Sequence, residues 1–122
     1  MIPATLDITI KRGDTFRQFF RLRNKDANGD PSTYPDLTSW GAGLSQIRAN
    51  SDSDTVVATM TITKANQVTY PGGILLTLSA ATTASIPAGN YVWDFEIDND
   101  LGETDTYLDG AATVTKDVSR AP

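Results

Sequence analysis

The chain has 122 residues, 39% of them hydrophobic and 20% charged, with a formal net charge of −5. That balance predicts a single globular domain over 1–122, too apolar to stay disordered and too polar for a membrane protein. With no cysteine and no histidine, disulfides, thiolate zinc sites, cysteine nucleophiles and the serine–histidine dyad are excluded.

The elements follow one period, and it is two. Leu6, Ile8 and Ile10 alternate with Thr5, Asp7, Thr9 and Lys11. Gly13-Asp14 then bends the chain, the Asp side chain being suited to capping backbone N–H groups. In the next run Phe16, Phe20 and Leu22 share one parity, while Arg17, Phe19, Arg21 and Arg23 share the other. Strand geometry therefore sets the arginines and Phe19 on one face. Asp26-Ala27-Asn28-Gly29-Asp30-Pro31 reads as a turn. Asp36-Leu37-Thr38 closes another, with Leu37 in the core. Trp40, just before Gly41, is either a core lid or an interface anchor, tryptophan being favoured at hot spots.

Val56, Ala58, Met60 and Ile62 alternate with threonines as one strand. Tyr70-Pro71-Gly72-Gly73 breaks the chain before Ile74, Leu76 and Leu78. Ser79 to Ile86 is the helix candidate, capped by Ser79 and ended before Pro87. After Pro87-Ala88-Gly89-Asn90, Tyr91, Trp93, Phe95 and Ile97 alternate with Val92, Asp94, Glu96 and Asp98. Ala112 and Val114 form a last strand. Short strands at this spacing predict an all-β fold, an antiparallel two-layer sandwich of about seven or eight strands with at most one helical turn near 79–86. Its expected core is Ile8, Phe20, Leu37, Ile62, Leu76, Trp93, Phe95 and Val114.

Charge is spread unevenly. Residues 1–25 hold six basic side chains against two acidic ones, and the remainder is strongly acidic. An acidic chain is a poor nucleic-acid ligand because phosphate neutralisation supplies most of that affinity. The arginine stripe reads as a solvated strand face or as a contact for an acidic partner subunit. Asp98-x-Asp100-x-Gly102-Glu103-x-Asp105 gathers oxygen ligands without EF-hand spacing, and Asp26-x-Asn28-x-Asp30 copies the first three EF-hand ligand positions but has Pro31 in place of the required glycine, so both read as hydrated turns. No carboxylate pair across a cleft is evident. The chain is therefore expected to have no catalytic residues, no metal site and no cofactor.

The ordered set Gly13-Asp14-Thr15-Phe16, Asp26 to Pro31, Asp36-Leu37-Thr38, Gln46-Ile47-Arg48, Leu76 to Ala84, Pro87 to Asp94 and Gly110-x-x-x-Val114 resembles small phage and prophage virion proteins. It is also similar to the immunoglobulin-like N-terminal domain of phage upper-baseplate proteins. The resemblance covers about residues 5–120 and implies an Ig-like sandwich located in the virion, made in the host bacterial cytoplasm. Its partners would be other virion proteins in a homo- or hetero-oligomer, with neither nucleic acid nor membrane involved. Tail, baseplate or tail-fibre attachment is the expected place, with capsid decoration or a head fibre as the alternative and a carbohydrate- or receptor-binding module as a further one. Upper-baseplate proteins continue into a linker and a receptor-binder dock, whereas this sequence ends at Arg120-Ala121-Pro122, which favours bridging or decorating other subunits. Trp93 resembles the core tryptophan of such sandwiches. Arg17, Phe19, Arg21, Arg23 and Trp40 are the candidate interface residues, facing the carboxylates Asp94, Glu96 and Asp98 of a neighbour.

Overall fold

A computed structural model describes residues 4–24, 27–28 and 32–117, so the expected turn at Asp26 to Pro31 and the end at Arg120 lie largely or wholly outside the described residues. Within them the alternation becomes β1 (Ala4–Thr5), β2 (Ile8–Lys11), β3 (Phe16–Arg21), β4 (Leu44–Arg48), β5 (Val56–Thr59), β6 (Thr61–Lys64), β7 (Gly73–Leu78), α1 (Ala80–Ala84), β8 (Gly89–Asp98) and β9 (Thr104–Thr115). One sheet runs β1–β9–β8–β4–β5, with β2 also on β9, and the other runs β3–β7–β6. Their inward residues form one apolar cluster, across which the Phe20 and Phe95 rings meet edge to face at 5.1 Å. This is an all-β sandwich of two sheets with minimal helix. Ile8, Leu37, Leu76, Trp93, Phe95 and Val114 are buried in it, whereas Phe20 and Ile62 are half-buried against it.

Three features depart from the alternation as read. The expected strand from Val56 to Thr63 is two strands in different sheets. The chain leaves β5 at Met60, whose buried side chain and N–H bond to the Ser45 carbonyl at 2.8 Å make the corner, and enters the small sheet as β6. Alternation survives this switch because both sheets bury the same parity. Second, β1 and β2 pair with β9 in parallel, while the other pairings are antiparallel. A period of two says which face a side chain takes and nothing about the direction of the partner strand. Third, β4 and the first half of β9 are strands where no strand was expected. Their polar outward residues, Gln46, Arg48, Thr106 and Asp109, mask the short inward rows.

The junction of β1 and β2 is built around Trp93. The Leu6 N–H donates to the Asp109 carbonyl at 2.8 Å, and the chain then steps off the ladder so that the Asp7 carboxylate takes the Ala111 N–H at 3.0 Å. The buried Trp93 indole donates to the Leu6 carbonyl at 2.8 Å, which satisfies its single polar atom. Gly110 sits opposite Trp93 in the ladder, and a Cβ there would lie 2.2 Å from the Leu6 oxygen. Only glycine lets the first strand approach so closely.

Two side chains fasten the loops. The Ser79 hydroxyl caps α1 by accepting from Thr82 N–H. From that short helix the buried Thr83 hydroxyl accepts from Gly13 N–H at 3.1 Å and donates to the Asp14 carbonyl at 2.8 Å. Gly13 holds φ at 83°, so the expected bend is present, but the Thr83 hydroxyl pins it and not the Asp14 carboxylate. In the β6–β7 loop, the Gln67 Oε1 accepts from Leu37 N–H at 3.0 Å and Gly72 N–H at 2.9 Å. Its Nε2 donates to the Ala65 and Gly73 carbonyls at 2.8 and 3.2 Å, so the amide uses all its bonding capacity. Asp36 and Thr38 close their turn as expected, through bonds of 2.9 and 2.6 Å to Asp36 Oδ1.

Candidate functional site

Two outward faces carry the chemistry of this molecule. On the small sheet, the register Arg17↔Thr77, Phe19↔Leu75 and Arg21↔Gly73 turns those arginines and Phe19 to the outside. Phe19 is 45% exposed and meets Tyr70, itself 49% exposed, edge to face at 5.9 Å. The Arg21 Nε donates to the Pro71 carbonyl at 3.1 Å, tying the strand to the same loop. Its guanidinium lies 3.6 Å from the centre of the Tyr34 ring, and that of Arg23 lies 5.0 Å away. Arg23 is anchored by two bonds to the Ser32 carbonyl. The cation–π contacts draw two guanidiniums to one ring. The result is one continuous surface of arginine and aromatic side chains.

Tyr34 and Tyr70 were not singled out as site residues by the sequence. Each stands next to a proline in a segment read as loop, and their convergence on β3 needs the β6–β7 loop that Gln67 holds. Exposed aromatics therefore do gather on one face, although parity alone places most aromatics inward. Trp40 is elsewhere. It is half-buried against the core and lies tilted against Tyr107 at 6.0 Å, with its carbonyl accepting from Lys64 Nζ at 2.7 Å. It acts as a lid on the sandwich. Burial, with Asp105 and Glu103 nearby, pushes the Tyr107 phenol above its usual range.

The outer face of the large sheet is different. Asp94 stands opposite Asp109 on β9 and Gln46 on β4, with Glu96 one step further along the face. With Leu44, Arg48 and Val92 they line a groove of about 550 Å³. Arg48 is turned toward the Ser53 carbonyl at 2.8 Å and the Gln46 Oε1 at 3.0 Å. Burial pushes the Asp94 carboxyl up, the Arg48 charge pulls it down and the Asp109 charge adds to the rise, so the net shift is upward. Asp98 belongs to the hairpin end and not to this groove, where its carboxylate accepts from the Thr104 hydroxyl. Asp109 takes its place, a residue that only strand register brings to Asp94.

The acidic turn after β8 is organised by Asn99, whose Oδ1 accepts from Leu101 and Glu103 N–H groups at 2.9 and 3.0 Å. Among the described residues no three His, Cys, Asp or Glu side chains converge as metal ligands. No helix there is long and apolar enough to cross a membrane.

No family model matches the chain, and no curated protein matches it either. Solved structures do. CopC from Methylosinus trichosporium OB3b is similar at a TM-score of 0.47 and 12% identity, over 94% of this chain and 89% of that one. A family 123 glycoside hydrolase from Clostridium perfringens is similar at a TM-score of 0.41 and 12% identity, over 94% of this chain and 23% of that one. Likenesses at this level carry nothing about ligand or chemistry.

Proposed function

We propose that this chain is a bacteriophage virion structural protein that works by subunit–subunit docking, as a tail, baseplate or tail-fibre-attachment component, with capsid decoration as the alternative place. The observation that carries the docking is the surface of Phe19, Tyr70, Tyr34 and the arginines. Aromatic and arginine side chains are the types enriched at protein interfaces, and exposed aromatics gathered on one face mark an interaction site. The virion setting rests on the ordered motifs that resemble phage structural proteins. Particles purified from a host carrying the parent phage, probed by mass spectrometry, should contain the chain at stoichiometric level. Complementation of a deletion with Phe19→Ser should leave particles depleted of it. Particles that never contain the chain would overturn the proposal.

The same exposed aromatics favour one second reading, a carbohydrate-binding module. Sugar stacking needs a free ring face, and the Arg21 guanidinium already covers one face of Tyr34. Glycan-array binding lost on Tyr70→Ala would support the sugar reading over the docking one.

A further inference from the structure

Building on the docking reading, we infer that the partner of the Phe19 face is a second copy of this chain, and that the face seats in the acidic groove of that copy. Charge is the first argument. Outward positions of the small sheet hold Arg17 and Arg21 among Phe19, Leu75, Thr61, Thr63 and Thr77, with no carboxylate. The groove on the large sheet holds Asp94, Glu96 and Asp109 against one lining cation, Arg48, which is bonded to Gln46 and to the Ser53 carbonyl of the following loop. Shape and polarity are the second. Phe19 lies half-exposed between two arginines, and the groove offers the side chain of Leu44, 41% exposed, with carboxylates beside it. A half-exposed phenyl flanked by cations thus meets an exposed leucine flanked by anions as its counterpart.

The two faces belong to the two layers of one sandwich, so they point away from each other. A contact between them cannot be isologous, because neither patch is its own complement. It is heterologous, so one copy is left with a free groove and the other with a free Phe19 face. Repetition gives a ring if the rotation closes and an open stack if it does not. Both are assemblies suited to a particle with rotational or helical symmetry.

Sedimentation velocity on the purified chain in low salt tests this. Wild type should self-associate with rising concentration, and association should weaken as salt screens the exposed charges over about 10 Å at 0.1 M. Two neutralising variants separate the faces: Phe19→Ser with Arg17→Ser, and Glu96→Gln with Asp109→Asn. Each alone should associate about tenfold more weakly or less. Mixed, they retain one intact face each and should form a dimer containing one of each variant, and nothing larger. A mixture that stays monomeric while wild type associates would overturn the head-to-tail contact, as would a wild type that is monomeric at millimolar concentration. Circular dichroism and thermal melting check folding, and the single changes Phe19→Ser and Glu96→Gln serve if a double variant is not folded. Particle content is scored separately. A monomeric wild type that still enters particles would reject self-assembly and keep the virion role, whereas a self-assembling chain absent from particles would do the reverse.

Discussion

Trp93 and Phe19 are aromatic residues on strands of opposite sheets of the same sandwich, and they end in opposite circumstances. Trp93 points inward, is 2% exposed and has its indole N–H bonded to Leu6 across the sheet. Its neighbour Gly110 has given up a side chain to admit that contact. Phe19 points outward between arginines, and its ring meets a half-exposed tyrosine edge to face. The contrast separates residues that hold the fold from those left over for a partner. Where every polar atom near an aromatic ring is satisfied internally, burial has been converted into stability. Where an aromatic is flanked by cations and open to water, its burial awaits another surface.

Substitutions should break this contrast in graded fashion. Trp93→Ala should cost about 3–5 kcal/mol, the range for truncating a buried large aromatic, and should yield a chain without a cooperative melting transition. Gly110→Ala should be comparably damaging in spite of adding one methyl, because the new Cβ meets backbone oxygen and not a movable side chain. Loss of the β1 amide protection in hydrogen exchange would locate that damage, and unchanged protection would show that the corner has room.

Gln67→Ala comes next. It leaves the Leu37 and Gly72 N–H groups without their acceptor, and each unsatisfied buried donor costs about 1–3 kcal/mol. Chemical denaturation should show a lower midpoint, and the loop carrying Tyr70 should lose its place beside Phe19. That change therefore damages both fold and face, and it should reduce docking through structure.

Asp94→Asn should act in the other direction. Burial raises the Asp94 pKa in the folded state, so folding favours the protonated form and the ionised carboxylate opposes it. The stability this group allows is fully present below its ordinary value of 3.8 and is lost as pH rises through the folded value. The asparagine variant should melt slightly higher than wild type at neutral pH and show no such gain in acid. A neutral-pH melting point below wild type would mean that the carboxylate is held by an attraction stronger than its burial cost. The smallest effect on stability is expected for Phe19→Ser, within about 0.5 kcal/mol, as for surface positions generally. If it unfolds the chain, Phe19 belongs with Trp93 as a residue that holds the fold.

Much of this was legible in the residues. Alternation placed Ile8, Leu76, Trp93, Phe95 and Val114 inward and Phe19 with Arg17 and Arg21 outward, because a strand's side chains have only two directions to take. Ser79 announced the short helix, and Asp36-Leu37-Thr38 its turn, since both depend on bonds between residues two or three apart. Contacts between distant segments were not legible. Alternation continues through Met60 although the chain changes sheets there, and Asp109 joins Asp94 only through the pairing of β8 with β9.

The sequence by itself therefore determined the class of fold, the identity of most core residues and the separation of a basic strand from an acidic one. Each follows from short-range rules of side-chain direction, β-branching and turn chemistry. Tertiary structure alone decided that the first strands run parallel to β9, that Tyr34 and Tyr70 close around Phe19 and Arg21, and that Trp40 is a lid. It also decided that three carboxylates share a groove on the far side of the sandwich. Those outcomes depend on which strands pair and in what register, and that choice is made by the whole core at once.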